Sequence, residues 1–156
     1  FTRAANVYGE HQQLYRIVPK VILSALTGKK VPLQGGGKSI RSFIHISDVN
    51  AALDKIISDG QIGDTYHIST NELITIHDLV ALICERLNVE FSDVAAIAPD
   101  RPGKDFAYQL DSSKIRTELN WSDKISLVEG IDKTITWVVA NLSELREMPT
   151  NYIHRK

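Results

Sequence analysis

Strand-like and helix-like patterns alternate along these 156 residues, and that alternation predicts an α/β fold with some parallel strand pairing. Three observations carry the prediction. Apolar residues at 3–4 spacing recur in separate stretches, each bounded by a capping residue or a glycine. Short extended runs lie between those stretches. No repeat of roughly 20–50 residues and no linker divides the chain, whose length suits one unit.

Residues 1–9 (FTRAANVYG) read as the tail of a strand entering a loop. Residues 14–27 hold Ile17, Val21, Leu23 and Leu26 near helical spacing, with Pro19 in the first turn and Gly28 as a left-handed stop. Val31–Leu33 is a short extended piece, Gly35–Gly37 a turn, and Ser42–Ile46 an alternating strand. Asp48 is the expected cap of a helix over 49–58 that buries Ala51, Ala52, Ile56 and Ile57 and stops at Gly60. Thr65–Ile68 is another strand. Thr75 starts a third helix, on which Ile76, Leu79, Val80, Ile83 and Leu87 share one side. Residues 89–105 read as strand plus loop, and Tyr108–Leu110 as a short strand. Asp111 or Ser112 caps a helix running to Leu119. Ser126 and Glu129 form a capping box for the last helix, and residues 143–156 are expected to fray.

Composition narrows the function. The chain has 18 Lys+Arg against 19 Asp+Glu, a net charge of -1, which argues against a general nucleic-acid binder. A small anionic ligand is still permitted, since two or three placed cations suffice. The single cysteine, Cys84, makes no internal disulfide and no Cys-rich zinc module, and its place on the apolar side of the third helix reads as an inert buried thiol. No apolar run approaches the roughly 20 residues of a membrane span. No basic region precedes an apolar core at the N-terminus, so no membrane partner and a cytoplasmic setting are expected. The chain starts at Phe1 rather than Met, which leaves a fragment or a processed piece open.

Gly35-Gly36-Gly37-Lys38-Ser39 resembles a phosphate loop, but the first glycine of such a motif would fall at Pro32, and a strand rather than a helix follows. No dinucleotide fingerprint follows a strand. The five histidines (His11, His45, His67, His77, His154) lack metal-ligand spacing. Loop cations remain. Arg16 opens the first helix, Arg41 follows the glycine turn, and Arg101 and Lys104 lie in Asp100-Arg-Pro-Gly-Lys-Asp105. Two converging guanidinium forks would suit a diphosphate, whereas a solitary surface arginine is more often one half of a salt bridge.

One ordered set of residues carries a resemblance. It runs Thr2-Arg3-x-x-Asn6-Val7-Tyr8-Gly9, Arg16-Ile17-Val18-Pro19, Pro32-x-Gln34-Gly35, Ile40-Arg41-x-Phe43 with Asp48, and Gly63-Asp64-Thr65-Tyr66. It continues through Asp100-Arg101-Pro102-Gly103-x-Asp105, Tyr108, Asp111-x-x-Lys114-Ile115, Leu119-x-Trp121 and Gly130-Ile131-x-Lys133-Thr134-Ile135-x-Trp137. This order resembles the C-terminal half of the dTDP-glucose 4,6-dehydratases, NAD-dependent members of the extended short-chain dehydrogenase/reductase family, to about residue 141.

The resemblance implies a fold: a substrate-binding lobe plus edge elements of a Rossmann sheet. Residues 6–39, 67–110 and 137–156 would form the nucleotide-sugar lobe, while 40–66 and 111–136 would pack on a Rossmann domain that this chain lacks. It also implies roles. Asn6 would lie beside the sugar and diphosphate. Arg16 and Ile17 would line the nucleotide site, Pro32 and Gln34 would flank the base, and Arg41 and Arg101 would clamp the diphosphate. Lys104 stands where the family usually has His. Gln34 replaces an aromatic that stacks on the base and Ile76 replaces an Asn, so the identity of the base is left open. The implied partner is a nucleoside diphosphate sugar, the implied cofactor is NAD, and the full-length enzymes dimerise through helices absent here. The family's glycine-rich loop, Tyr-x-x-x-Lys pair and Asp-Glu pair lie upstream of the matched segment, so the chain alone is expected to be inactive. An epimerase or decarboxylase of the same family, or a non-catalytic module keeping the same cleft, is the alternative.

Overall fold

The computed structural model describes residues 1–100, 103 and 105–152. Strands β1 (Thr2–Ala4) and β2 (Asn6–Tyr8) are followed by α1 (Ile17–Thr27), β3 (Val31–Gln34), a 3₁₀ turn over Gly35–Gly37, β4 (Ile40–Arg41), β5 (Phe43–His45) and α2 (Ile46–Asp59). Next come β6 (Tyr66–Ile68), β7 (Ile74–Thr75), α3 (Ile76–Leu87), the single turn α4 (Phe91–Val94), β8 (Ala95–Ala98), β9 (Ala107–Tyr108), α5 (Ser113–Glu118), α6 (Leu127–Ala140) and the single turn α7 (Leu142–Leu145).

The predicted parallel pairing is present. β1 pairs with β6, β2 with β5, β3 with β8 and β4 with β9, all parallel, while β7 joins β4 antiparallel. Parallel neighbours need a crossover, and α2 provides one between β5 and β6. The nearly continuous β1–β2 strand therefore has β6 beside its first half and β5 beside its second.

Two apolar clusters hold these layers. In the first, Val18, Val21 and Ile22 of α1 pack with Leu79, Val80 and Ile83 of α3, Ile131 and Val138 of α6, and Val31 and Leu33 of β3. In the second, Ile44, Val49, Ala52, Tyr66 and Ile68 enclose Ile115, Leu119 and Trp121. Cys84 is buried in the first cluster, and burial raises its thiol pKa, as expected of an inert core thiol.

The α1 reading holds at both ends, with Arg16 at the N-cap and Gly28 in the left-handed region at φ 66°. Thr75 caps α3 by accepting the Asp78 N–H at 3.0 Å. Other expectations need correction. Asp48 does not cap α2. The helix starts three residues earlier, with His45 at the N-cap accepting the Ser47 N–H on Nδ1 at 3.3 Å. Asp48 is instead buried, and its two carboxylate oxygens accept the N–H groups of Lys124 and Ile125, each at 3.0 Å. Starting the helix earlier turns its faces: Ala51 and Ile57 are exposed, and Leu53 packs inward with Ala52 and Ile56. The run 42–46 is strand only over Phe43–His45: Ser42 separates β5 from the preceding β4, and Ile46 already starts α2. Residues 142–145 form a helical turn rather than a frayed tail, since Leu145 enters the first cluster.

Candidate functional site

A cleft of about 690 Å³ opens where β2, β5 and the start of α1 meet. Asn6 and Phe43, cross-strand partners in the β2–β5 pair, are among its lining residues. The Asn6 amide donates to the Ser42 carbonyl at 3.0 Å, which fixes the side chain. Arg16 and Ile17 come from the start of α1, Arg41 from β4 and Ile76 from the start of α3. Arg16 is exposed, and its guanidinium lies 5.3 Å from the centre of the Tyr15 ring.

Arg41 is positioned by the backbone it reaches. Nη1 donates to the carbonyls of Ile40 at 2.7 Å and Phe106 at 3.3 Å, and Nη2 donates to the Asp105 carbonyl at 2.9 Å. A guanidinium carries five N–H donors, so Nε–H and one Nη2–H stay free for a ligand among the described residues. Arg41 thus ties the segment before β9, on which β4 pairs, to the rim of the cleft.

Asn6, Arg16, Ile17 and Arg41, chosen from the sequence, line one cleft although 35 positions separate the first from the last. Pro32 and Gln34 do not line it. They lie on β3, Pro32 exposed and Gln34 half-buried. Arg101 and Lys104 lie outside the described residues. Two lining residues carried no signal in the sequence. Glu10 accepts a hydrogen bond from the buried His45 at 3.2 Å. Gln12 donates to the Val7 carbonyl at 2.6 Å, and its amide oxygen is buried with no partner among the described residues. Tyr8 closes the inner wall, with its hydroxyl donating to the Leu127 carbonyl at 3.2 Å. Burial, followed by the charges of Asp48, Glu72, Glu129 and Glu10, pushes its phenol well above the ordinary range, so it stays a neutral donor.

The glycine run makes no phosphate cradle. A Cβ on Gly35 would meet the Asp100 carboxylate at 2.6 Å, and one on Gly37 the His77 backbone at 2.8 Å, so these glycines serve close packing within the chain. Among the described residues no cluster of His, Cys, Asp or Glu could hold a metal ion, and no helix is long and apolar enough to cross a membrane.

The family model described as GDP-mannose 4,6 dehydratase matches residues 1–134. The chain belongs to this family. The dTDP-glucose 4,6-dehydratase of Streptomyces niveus is 34% identical over 136 residues, covering 87% of this chain and 40% of the relative. Among solved structures, the dTDP-glucose 4,6-dehydratase of Bacillus anthracis in complex with NAD superposes with a TM-score of 0.85 at 30% identity, covering 91% of this chain and 44% of that one. The UDP-glucose 4-epimerase of Thermotoga maritima with UDP-glucose gives 0.84 at 28% identity, covering 90% and 46%. The chain therefore spans about two fifths of the length of the curated dehydratase it matches, and its α/β fold is that of part of an extended short-chain dehydrogenase/reductase.

Family membership bears on one detail at the C-terminus. A literal Tyr-x-x-x-Lys spacing occurs at Tyr152 and Lys156, beyond the stretch the family model matches. A catalytic pair at that spacing uses one helix face, whereas Tyr152 lies outside any helix, its ring edge-on to Tyr15 at 5.2 Å, and Lys156 falls outside the described residues.

Proposed function

We propose that this chain is the nucleotide-sugar-binding portion of an NAD-dependent NDP-glucose 4,6-dehydratase, an enzyme forming a 4-keto-6-deoxy sugar. One observation carries the reading: Asn6, Arg16 with Ile17, and Arg41 come from three separate stretches and converge on one cleft. A guanidinium with two unspent N–H groups at a cleft rim suits a diphosphate, which offers planar acceptor edges. Asn6 would meet the diphosphate or sugar, Ile17 would pack on the nucleoside, and Arg101 would join Arg41 on the diphosphate, with Lys104 beside them. Pro32 and Gln34 would contact the base once the ligand extends past the cleft toward β3.

NAD, when bound, supplies hydride acceptance at the sugar and hydride return. The described residues offer no dinucleotide cradle, so the cofactor would be held by the rest of such an enzyme, and no step through it belongs to this chain. The division into a sugar-nucleotide lobe (6–39, 67–110, 137–156) and elements facing a Rossmann domain (40–66, 111–136) is supported by the two apolar clusters, although Phe43 and Ile131 pack on the lobe side. A homodimer and a cytoplasmic location are part of the same proposal.

Calorimetric titration with dTDP-, UDP-, CDP- and GDP-sugars tests the reading. At least one should bind, and Arg41→Ala or Arg101→Ala should each weaken it by about 2–3 kcal/mol. Unchanged affinity in both variants would sink the assignment. The epimerase match supports the alternative chemistry of that enzyme, and product analysis separates the two: a 4-keto-6-deoxy sugar against a C4 epimer.

A further inference from the structure

Glu10 is the one carboxylate among the described residues lining the cleft, which otherwise presents the cations Arg16 and Arg41. It sits just past β2, a third exposed, and its two oxygens differ in what they meet. Oε2 faces Nε2 of His45 at 3.2 Å. His45 is 2% exposed, and its Nδ1 is occupied by the Ser47 N–H, so the ring hydrogen sits on Nε2 and is donated to Glu10. The imidazole cannot swing away. Tyr8 meets it edge-on at 5.5 Å, and Gly130 packs so close that a Cβ there would lie 3.0 Å from the imidazole Cδ2. Oε1 of Glu10 has no hydrogen-bond partner among the described residues. Lys133, in the neighbouring hollow that Glu10 also borders, is taken by Glu129 at 2.8 Å.

A carboxylate anchored through one oxygen and unspent on the other is a fixed acceptor that carries negative charge into the cleft. It accepts a hydrogen bond from a hydroxyl and repels another carboxylate. We infer that Glu10 selects a neutral, hydroxyl-bearing glycosyl group over a uronate in this cleft. The inference rests on the nucleotide-sugar reading. The diphosphate is drawn to the guanidinium groups, and the glycosyl group is left to the remainder of the cleft, where Glu10 is the acidic feature. Discrimination comes from repulsion of the wrong sugar as much as from the bond to the right one.

The test uses the full chain, wild type and Glu10→Gln, titrated with the glucose and glucuronate forms of UDP and dTDP and with UDP and dTDP alone. The wild type should prefer the glucose form. Glu10→Gln keeps the side-chain length and an acceptor for His45, and it should narrow the glucose-to-glucuronate preference about tenfold. Affinity for the bare diphosphates should change much less than that preference, a separation that a purely structural role would not produce. Glu10→Ser gives the same comparison if Glu10→Gln folds poorly. An unaltered preference with intact UDP or dTDP binding overturns the role of Glu10 alone. No binding of any nucleotide overturns the nucleotide-sugar reading and this inference with it.

Discussion

At Gly130 a single hydrogen decides how α6 approaches the β2–β5 pair. A Cβ there would drive into the Tyr8 hydroxyl and press on His45. Gly130→Ala should therefore destabilise the chain by about 1–3 kcal/mol despite alanine's higher helix propensity, measured by urea denaturation. Combining it with Tyr8→Phe should recover part of the loss, because the hydroxyl is the nearest obstacle, and the cycle should be non-additive. Asp111 shows a second effect at this scale. Its carboxylate accepts the Ser113 N–H at 2.8 Å at the start of α5, and that bond holds its pKa below the ordinary 3.8. A depressed carboxylate pKa contributes stability that is fully present above 3.8 and lost as the pH falls through the lowered value. Asp111→Asn should flatten that acid limb in a pH series of thermal melts; an unchanged limb would remove Asp111 from the account.

At the scale of elements, the caps explain which sequence signals acted as expected. Ser126 accepts the Glu129 N–H at 3.2 Å, so half of the expected capping box forms. The Glu129 side chain instead takes Lys133 one turn on, so the reciprocal half is missing. The choice between Asp111 and Ser112 for α5 resolves for the same reason of competition. Ser112 is buried and donates to the Ser69 carbonyl, leaving Asp111 to meet the helix start. Asp48 belongs here too, because it ties α2 to the segment before α6, where Trp121 also donates to the Asp48 carbonyl at 3.2 Å. Asp48→Asn replaces one accepting oxygen with a donor facing a backbone N–H. It should cost about 2–4 kcal/mol and shift the Trp121 emission on unfolding to a lower denaturant concentration.

For the molecule as a whole, two cores share one chain, and the outer edge of β1 has no strand beside it among the described residues. Phe1 before that strand is 86% exposed, Ile57 at the end of α2 is 81% exposed, and Ile62 in the next loop is fully exposed. Open strand edges and apolar side chains in water favour association. The isolated chain should therefore self-associate with rising concentration in light scattering. Ile57→Lys with Ile62→Lys should reduce that association while leaving the melting temperature unchanged, since neither side chain is packed.

Much of this fold follows from local chemistry: α1 between Arg16 and Gly28, α3 after Thr75, the parallel character of the pairing, and a family order of residues legible from Thr2 to Trp137. Such features depend on neighbours within a few positions, where capping, periodicity and turn residues act. The start of α2, the break at Ser42 and the docking of Leu145 were decided by partners far along the chain. The same holds for the cleft. The sequence marked Arg16 and Arg41 among several loop cations, and the family resemblance assigned them to one ligand, but only packing could bring them to a common wall and set Glu10 beside them, because convergence of distant side chains depends on how helices and strands stack.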